Sequence, residues 1–461
     1  MSYDVDTVYD LLPAYLRQRD LALGQQFRAD TGAAEGSIAE DYAPLRSLIS
    51  LFAEELRRLD ADLEGMYDDL FIETCAEWVI PYLGDLVGAR LPPDALRDEL
   101  NPRALVADTI ADRRRKGTIA TLERVADAAL ASWVAKATEY WPLLIQSQNL
   151  NHLRLGHTAA VDIREPEELR RLGTPFDPSA RSVDTSSARD GGRYNIPTVG
   201  VAVWRVMSQL RMEGNPHRIT GRRYTFDPFG RSIPLFVDPD PLVGAERVDD
   251  THVPTPLDGR LLDKELATRY GRDVSVSING TLVPLLDQAE NPNIMVCTLA
   301  DNPAQPGGWL NAGNLPVTRI DPELGRFVLA TGFGNNPAVT VAYHYGAAAV
   351  VGGGGYERDP ATGAAPTEVP AADIGSHIAG LRAGGSLLIT DSGSASALPP
   401  LVVEAGATAV LAGANGHAPA FTDSETSIRL FPGTELVLDG LWVAGDVMVV
   451  KPESGSATLT L

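Results

Sequence analysis

The sequence predicts a multidomain α+β protein with three regions. These are an N-terminal helical bundle region over residues 1 to 150, a central mixed β-rich region over 151 to 350, and a glycine-rich linker with the start of a parallel β-helix over 351 to 461. Three observations predict this order: apolar residues recur every seven positions near the N-terminus, strand-like alternation begins near residue 150, and short strand-like segments recur toward the C-terminus. The length of 461 residues also favours more than one domain.

The strongest helical signal lies between residues 45 and 70. Eight apolar residues form two seven-residue series four positions apart, and we call them the heptad seam: Leu45, Phe52, Leu59 and Met66 in one series, and Ile49, Leu56, Leu63 and Leu70 in the other. This period favours a long helix that packs lengthwise against other helices, as in a coiled coil or bundle. An ordinary amphipathic helix packed on its own domain is the alternative. Either arrangement makes the seam a packing surface rather than a cofactor site.

The segment "FIETCAEWVIPYLGDLVG" follows directly at residues 71 to 88. Proline interrupts helices and glycine favours turns, so Pro81 and Gly84 predict a change of chain direction. Trp78 and Tyr82 are four residues apart and are expected to be anchors. We therefore predict a structural joint at Trp78, Pro81, Tyr82 and Gly84, with Trp78 buried and the chain reversing beyond Pro81.

The central region carries two hairpin signals. "TRIDPELGRFVLA" predicts two short strands around an Asp-Pro-Glu-Leu-Gly turn. Asn279-Gly280 in "DVSVSINGTLVPL" is the strongest short hairpin signal in the chain. Both signals indicate that this region is rich in β-structure.

The third region begins at the glycine run of "VVGGGGYERDP", which predicts a boundary because four glycines support neither a strand nor a helix. Beyond it, "SLLIT", "TAVLAG", "SIRLF" and "VMVV" recur about every twenty residues, which favours coils of a parallel β-helix over hairpins. The last strand-like segment, "SATLTL", carries no polar cap. We expect either that these coils belong to a longer protein or that a partner covers the last strand.

Composition argues against several functions. The formal charge of −22 would repel phosphate backbones, so nucleic acid is not an expected partner. Cys75 and Cys297 are far apart and form no disulfide framework or zinc spacing, and the seven histidines lack metal-ligand spacing. No secretory signal and no apolar run long enough to span a membrane is visible, so we expect assembly in the cytoplasm without membrane insertion. We predict no catalytic, cofactor-binding or metal site.

One enzymatic alternative is consistent with the predicted β-helix. Polysaccharide lyases and hydrolases built on a β-helix carry acids and arginines on one face of the solenoid. The predicted coils contain several such residues but no pattern that singles out an acid/base pair: Asp391, Glu404, Asp423, Glu425, Arg429 and Asp439. The alternative function is therefore a particle-borne or secreted β-helix protein that binds or degrades glycans.

Several motifs carry a family resemblance. "LLPAYLRQRD", "LFAEELRRLDADLEGMYDDLFIETCAEWVIPYLGDLVGARL" and "ADRRRKGTIATLERVA" resemble the myophage tail protein I family, whose members are baseplate wedge components of contractile tails. "RRLGTPFDPSARSVDTSSARDGGRYNIPTVGVAVWRV" and "RRYTFDPFGRSIPLF" look like the larger wedge proteins of extracellular contractile injection systems, which are phage-tail-like particles encoded by bacteria and archaea. The resemblance covers the helical region and much of the central region.

The resemblance implies a structural role without an active site. Such proteins pair through long helices with a second wedge subunit of the baseplate J type, around a central hub and spike. Six wedges form a ring at the end of the sheath, and the ring transmits the trigger for contraction. The resemblance assigns the heptad seam to the bundle face and residues 77 to 84 to the joint that follows it. The particle would assemble in the cytoplasm and then either be released or act within the cell.

Overall fold

The computed structural model describes most of the chain. The described residues are 4–31, 43–90, 101–129, 133–147, 160–184, 192–241, 247–271, 275–278, 293–334, 337–358, 366–395, 397–422, 425–452 and 455–460. They form two compact units, Met1–Ala131 and Ser132–Leu461. The Asn279-Gly280 hairpin prediction lies outside the described residues.

The first unit is helical in its described part. Its α-helices are α1 (Val5–Asp10), α2 (Ala14–Thr31), α3 (Pro44–Asp68), α4 (Ile80–Val87), α5 (Pro102–Arg114) and α6 (Ile119–Ala129), and a short 3₁₀-helix spans Glu77–Val79. A small core joins α4 to α5: Val79, Ile80 and Val106 are buried together with Cys75. The Arg103 guanidinium donates to the carbonyl of Cys75 at 2.7 Å and so ties α5 to the segment before α4.

The second unit begins with a β-domain. Its strands are β1 (Val134–Glu139), β2 (Val199–Trp204), β3 (Met207–Gly214), β4 (His217–Thr220), β5 (Arg223–Thr225), β6 (Val276–Ile278), β7 (Ile294–Val296), β8 (Thr318–Asp321), β9 (Arg326–Val328) and β10 (Val341–Ala347). Short helices within the described residues accompany them, among them α7 (Pro166–Arg171), α8 (Gly259–Lys264) and α9 (Leu266–Arg269). The strands form sheets ordered β1-β2, β3-β10-β6 and β4-β5-β9-β8-β7.

Stacked aromatic rings occupy the centre of this β-domain. The ring of Phe327 lies 5.2 Å from that of Tyr224 and 4.8 Å from that of Phe226, and all three are buried. The antiparallel pair of β8 and β9 surrounds residues 322 to 325, so the predicted strands around the Asp-Pro-Glu-Leu-Gly turn are confirmed. Gly325 has φ +57°, a value that glycine adopts without steric cost.

The C-terminal part is a parallel β-solenoid, as the sequence predicted. Its strands are β11 (Thr367–Val369), β12 (Gly385–Ile389), β13 (Ser394–Ala395), β14 (Leu401–Val403), β15 (Thr408–Gly413), β16 (Ala420–Phe421), β17 (Glu425–Leu430), β18 (Glu435–Asp439), β19 (Trp442–Val443), β20 (Asp446–Val450) and β21 (Thr458–Thr460), and a short helix α10 covers Ile374–His377. They form three parallel sheets, β11-β12-β15-β18-β21, β13-β16-β19 and β14-β17-β20. Leucine, isoleucine and phenylalanine side chains fill the interior.

The coils vary in length, and some match the predicted spacing of about twenty residues. Thr367 pairs with Leu387, Gly385 with Ala409 and Thr408 with Glu435, so these successive coils are 20, 24 and 27 residues long. The four segments that suggested a period of about twenty residues lie on two faces, with β12 and β15 in one sheet and β17 and β20 in another. Each coil contributes strands to three faces, so the spacing between two apolar segments equals a coil length only where both segments stack in the same sheet.

The glycine run packs tightly where the β-domain meets the solenoid. A Cβ on Gly353 would lie 2.3 Å from the carbonyl oxygen of Gly440, and one on Gly355 would lie 2.4 Å from that of Leu210. Glycine is therefore required there because backbone segments approach too closely for any side chain. The glycine run, which was predicted to be part of a linker, is thus in close contact with both the β-domain and the solenoid.

Buried arginines complete this junction. Arg211 on β3 is fully buried, donates to the carbonyl of Ser392 at 2.8 Å and lies over the Trp442 ring at 5.2 Å. Arg358 donates to the carbonyl of Ala414 at 2.8 Å, and its guanidinium faces Asp439 at 3.6 Å. Burial lowers the pKa of Arg211, because removing the guanidinium from water disfavours its charged form. We call these contacts the solenoid junction.

Candidate interaction surface

The heptad seam lies along α3, and most of it is exposed. Leu45 and Ile49 are half-buried where α3 packs on α1 and α2. Ala53 is the last buried residue of α3, and no residue from Glu54 to Leu70 is buried. The remaining six seam residues are 38 to 68% exposed: Phe52, Leu56, Leu59, Leu63, Met66 and Leu70. A continuous exposed apolar stripe of this length is unusual on the surface of a monomeric protein.

The start of α3 is fixed by a carboxylate from α2. Ala43 at the N-cap has no side-chain acceptor, and Pro44 has no N–H. Asp20 instead accepts hydrogen bonds from the N–H groups of Leu45 at 2.8 Å and Arg46 at 3.0 Å, and from the Tyr9 hydroxyl at 2.9 Å. A negative charge at this end also interacts favourably with the helix dipole. Burial and the Asp20 carboxylate raise the pKa of Tyr9.

A compact turn ends α3 before the predicted joint. Thr74 Oγ1 donates to the carbonyl of Asp68 at 2.8 Å, and Asp69 Oδ1 accepts from the Ala76 N–H at 2.8 Å. Tyr67 and Phe71 make an edge-to-face ring contact at 5.3 Å. These contacts turn the chain between residues 68 and 76, which is earlier than the prediction of a reversal beyond Pro81.

The predicted joint residues lie in and beside α4. Pro81 occupies the first turn of α4, where its missing N–H costs nothing, and Gly84 is buried within the helix. The expectation that Trp78 is buried is wrong, because its side chain is 68% exposed. Val79 and Ile80 face the core instead. Trp78 contacts Tyr82 edge to face at 6.2 Å, and both rings point away from that core.

One residue of this outward face was missed from the sequence. Leu86 is 83% exposed and follows Trp78 and Tyr82 at helical spacing of four residues. The signal was the i, i+4, i+8 spacing, which places all three on one side of a helix. We call Trp78, Tyr82 and Leu86 the α4 stripe.

The polar clefts of the second unit contain paired charges. A cleft of about 510 Å³ beside α8 is lined by Glu167, Arg170, Asp258 and Lys264 among others. Arg170 donates to Asp250 at 2.7 Å, and Lys264 pairs with Glu167. The hydrogen bond from Lys264 lowers the pKa of Glu167. These ion pairs hold α7 against α8 and its neighbouring loop.

Two histidines of the β-domain each lie close to an aspartate. His252 Nδ1 lies 2.6 Å from Asp249 Oδ1, and His344 Nε2 lies 3.5 Å from Asp238 Oδ1. Within the described ranges, no group of three or more His, Cys, Asp or Glu side chains has an arrangement that could hold a metal ion. None of the helices in that part of the chain has the length and apolar character needed to cross a membrane.

Comparisons of this chain with protein-family models, with curated proteins and with solved structures each found no match.

Proposed function

We propose that this chain is a structural, non-enzymatic subunit of the baseplate wedge of a contractile injection system. In this role α3 packs along a helix of a second wedge subunit of the J type, and hub, spike and sheath proteins are the further neighbours. Six wedges form the ring, which assembles in the cytoplasm and links the baseplate to sheath contraction. The motif resemblance supports the family, and the exposed heptad seam is the observation that carries the function.

The seam suits a helical partner because its spacing is that of a coiled coil. Residues at this spacing insert between four residues of a facing helix, and they stay aligned only if the partner is also a helix. Burying a leucine-sized side chain fully stabilises an assembly by about 1.5–3 kcal/mol. The six exposed seam residues, five on α3 and Leu70 just beyond its end, therefore offer enough apolar area for a stable contact.

The solenoid junction supports a mechanical role for the second unit. Arg211 and Arg358 donate to carbonyl groups of the solenoid, and Trp442 of the solenoid donates to the carbonyl of Gly353 in the glycine run. These hydrogen bonds join the two β-structures. A rigid joint of this kind transmits displacement, whereas a flexible linker would absorb it. This property fits a subunit of a contracting particle.

Replacing Leu56 and Leu63 with aspartate is expected to prevent particle assembly while the isolated chain still folds. Both side chains are exposed in the free chain, so the folding free energy should change by about 1 kcal/mol or less. In the assembly, the same carboxylates would be buried without partners, which is far more costly. Electron microscopy for sheathed particles, with circular dichroism of the purified chain, measures both outcomes.

Ala61→Asp is the matched control. Ala61 is exposed on α3 and lies about 140° around the helix from Leu56. Particles should form with this variant. Intact sheathed particles with the Leu56/Leu63 variant would contradict the proposed function. Under the glycan-binding alternative, that variant would retain glycan activity and its seam would have no role.

A further inference from the structure

The C-terminal half of the seam, from Leu59 to Leu70, and the α4 stripe lie in a segment that carries only negative charge. Between Arg58 and Arg90 the sequence contains no lysine or arginine. It contains eight carboxylates: Asp60, Asp62, Glu64, Asp68, Asp69, Glu73, Glu77 and Asp85. In the part of the chain that the structure describes, none of the eight makes an ion pair, whereas Glu54 and Glu55 earlier on α3 both pair with Arg58.

The positions of two of these acids on α3 are informative. Asp60 directly follows Leu59, whereas Asp62 directly precedes Leu63. In a coiled coil, these are the two positions that flank the apolar seam and face the flanking positions of the partner helix. Charges there select the partner, because opposite signs attract and like signs repel. The flanks of the exposed half of α3 are therefore acidic on both sides.

We infer that the partner of this surface is an amphipathic helix from a different protein, with lysine or arginine flanking its apolar seam. This inference deepens the proposed function and rests on its claim that the heptad seam is an interface. A second copy of α3 would place acids opposite acids, so self-association is disfavoured. The same charge disfavours nucleic acid and anionic membranes as occupants of this surface.

The α4 stripe fits the same kind of partner. Trp78 and Tyr82 are mostly exposed, and the acids nearest to them in the sequence are Glu77 and Asp85. Aromatic faces attract arginine and lysine through the ring quadrupole, and tryptophan binds them best. Tryptophan and tyrosine are also enriched among the residues that dominate binding energy. A basic partner helix could therefore bury apolar side chains against the α4 stripe and also place its cationic side chains over the two aromatic rings.

Two synthetic peptides test the inference with the purified full-length chain. Both are fluorescently labelled helices of about four heptads with the same leucine and isoleucine seam. One carries lysine and arginine at the flanking positions, and the other carries glutamate there. Fluorescence anisotropy should show the basic peptide binding about tenfold or more tightly, as expected when several flanking pairs change from opposite to like sign.

The preference should shrink at about 0.5 M NaCl, because salt screens exposed charges. The double variant Asp60→Lys, Asp62→Lys should shift the preference toward the acidic peptide. Asp68→Lys, on the far side of α3, is the matched control and should alter the preference less. Equal binding of the two peptides to the native chain, or no binding of either, would overturn the inference.

The design separates this inference from the proposed function. Leu63→Asp should weaken binding of both peptides, because it removes an apolar contact that both share. If Leu63→Asp prevents binding and the native chain does not distinguish the peptides, the seam is an interface but the basic partner is wrong. If Leu63→Asp leaves binding of a peptide unchanged, the interface itself is wrong.

Discussion

Replacing Trp442 with alanine is expected to lower the unfolding free energy of the second unit by about 2–3 kcal/mol, which is less than for a fully buried tryptophan because this side chain is half-buried. The Trp442 ring lies under Arg211, contacts Tyr345 edge to face at 5.3 Å, and its Nε1 donates to the Gly353 carbonyl at 2.8 Å. Alanine at this position would leave a cavity next to the buried guanidinium of Arg211, which would lose its contact with the Trp442 ring. Calorimetry should also show the β-domain and solenoid unfolding in separate transitions.

Trp442→Phe is the control for this substitution. Phenylalanine keeps an aromatic ring under Arg211 but cannot donate to Gly353, so the loss should be smaller, at about 1–2 kcal/mol. A single cooperative transition with unchanged midpoint in Trp442→Ala would contradict the role assigned to Trp442 in coupling the two structures.

Replacing Phe421 with alanine should have a comparable effect inside the solenoid. Phe421 on β16 is fully buried among Leu398, Leu401 and Leu411. Truncation removes apolar burial and leaves a cavity that stacked coils cannot close, so we expect a loss of about 3–5 kcal/mol. Urea titration followed by circular dichroism measures the change.

Phe431→Ala provides the comparison within the same solenoid. Its side chain is 39% exposed, so truncation should cost roughly 1 kcal/mol or less. Equal midpoints for the two alanine variants would contradict the assignment of Phe421 to the solenoid core.

Local patterns predicted several elements correctly, because short-range rules govern them. The Asp-Pro-Glu-Leu-Gly turn specified the hairpin of β8 and β9, and the apolar segments near the C-terminus specified a parallel solenoid. The variation in coil length and the assignment of each segment to a sheet could not be read in the same way. Strands on all three faces share one composition, so the sequence does not reveal which segments stack in one sheet.

The burial of Trp78 was misjudged for a related reason. The sequence of α4, "IPYLGDLV", is apolar on nearly every side. Periodicity then cannot decide which side meets a neighbour. Val106 of α5 covers Val79 and Ile80, and this leaves Trp78 and Tyr82 outside. The same limit applies to α3. The heptad pattern identified the seam, but it did not show that the seam is exposed beyond Ala53, the last buried residue of this helix.

The glycine run shows another limit of sequence reasoning. Four glycines predict freedom from regular structure, and they do occupy an irregular segment. Their close approach to Gly440 and Leu210 depends on residues far away in the chain. Only the folded arrangement reveals that the run packs into the solenoid junction.

Oxidation of Met66 tests most directly whether a partner covers the heptad seam. Met66 is 63% exposed in the free chain, and Met448 on β20, at 65%, is a reference of matched exposure. Hydrogen peroxide converts exposed methionine to the sulfoxide, and mass spectrometry measures the rate at each site. Both should react at similar rates in the isolated chain, and Met66 should be strongly protected in the assembled particle. A Met66 rate that is the same in the particle and in the free chain would contradict the proposed interface.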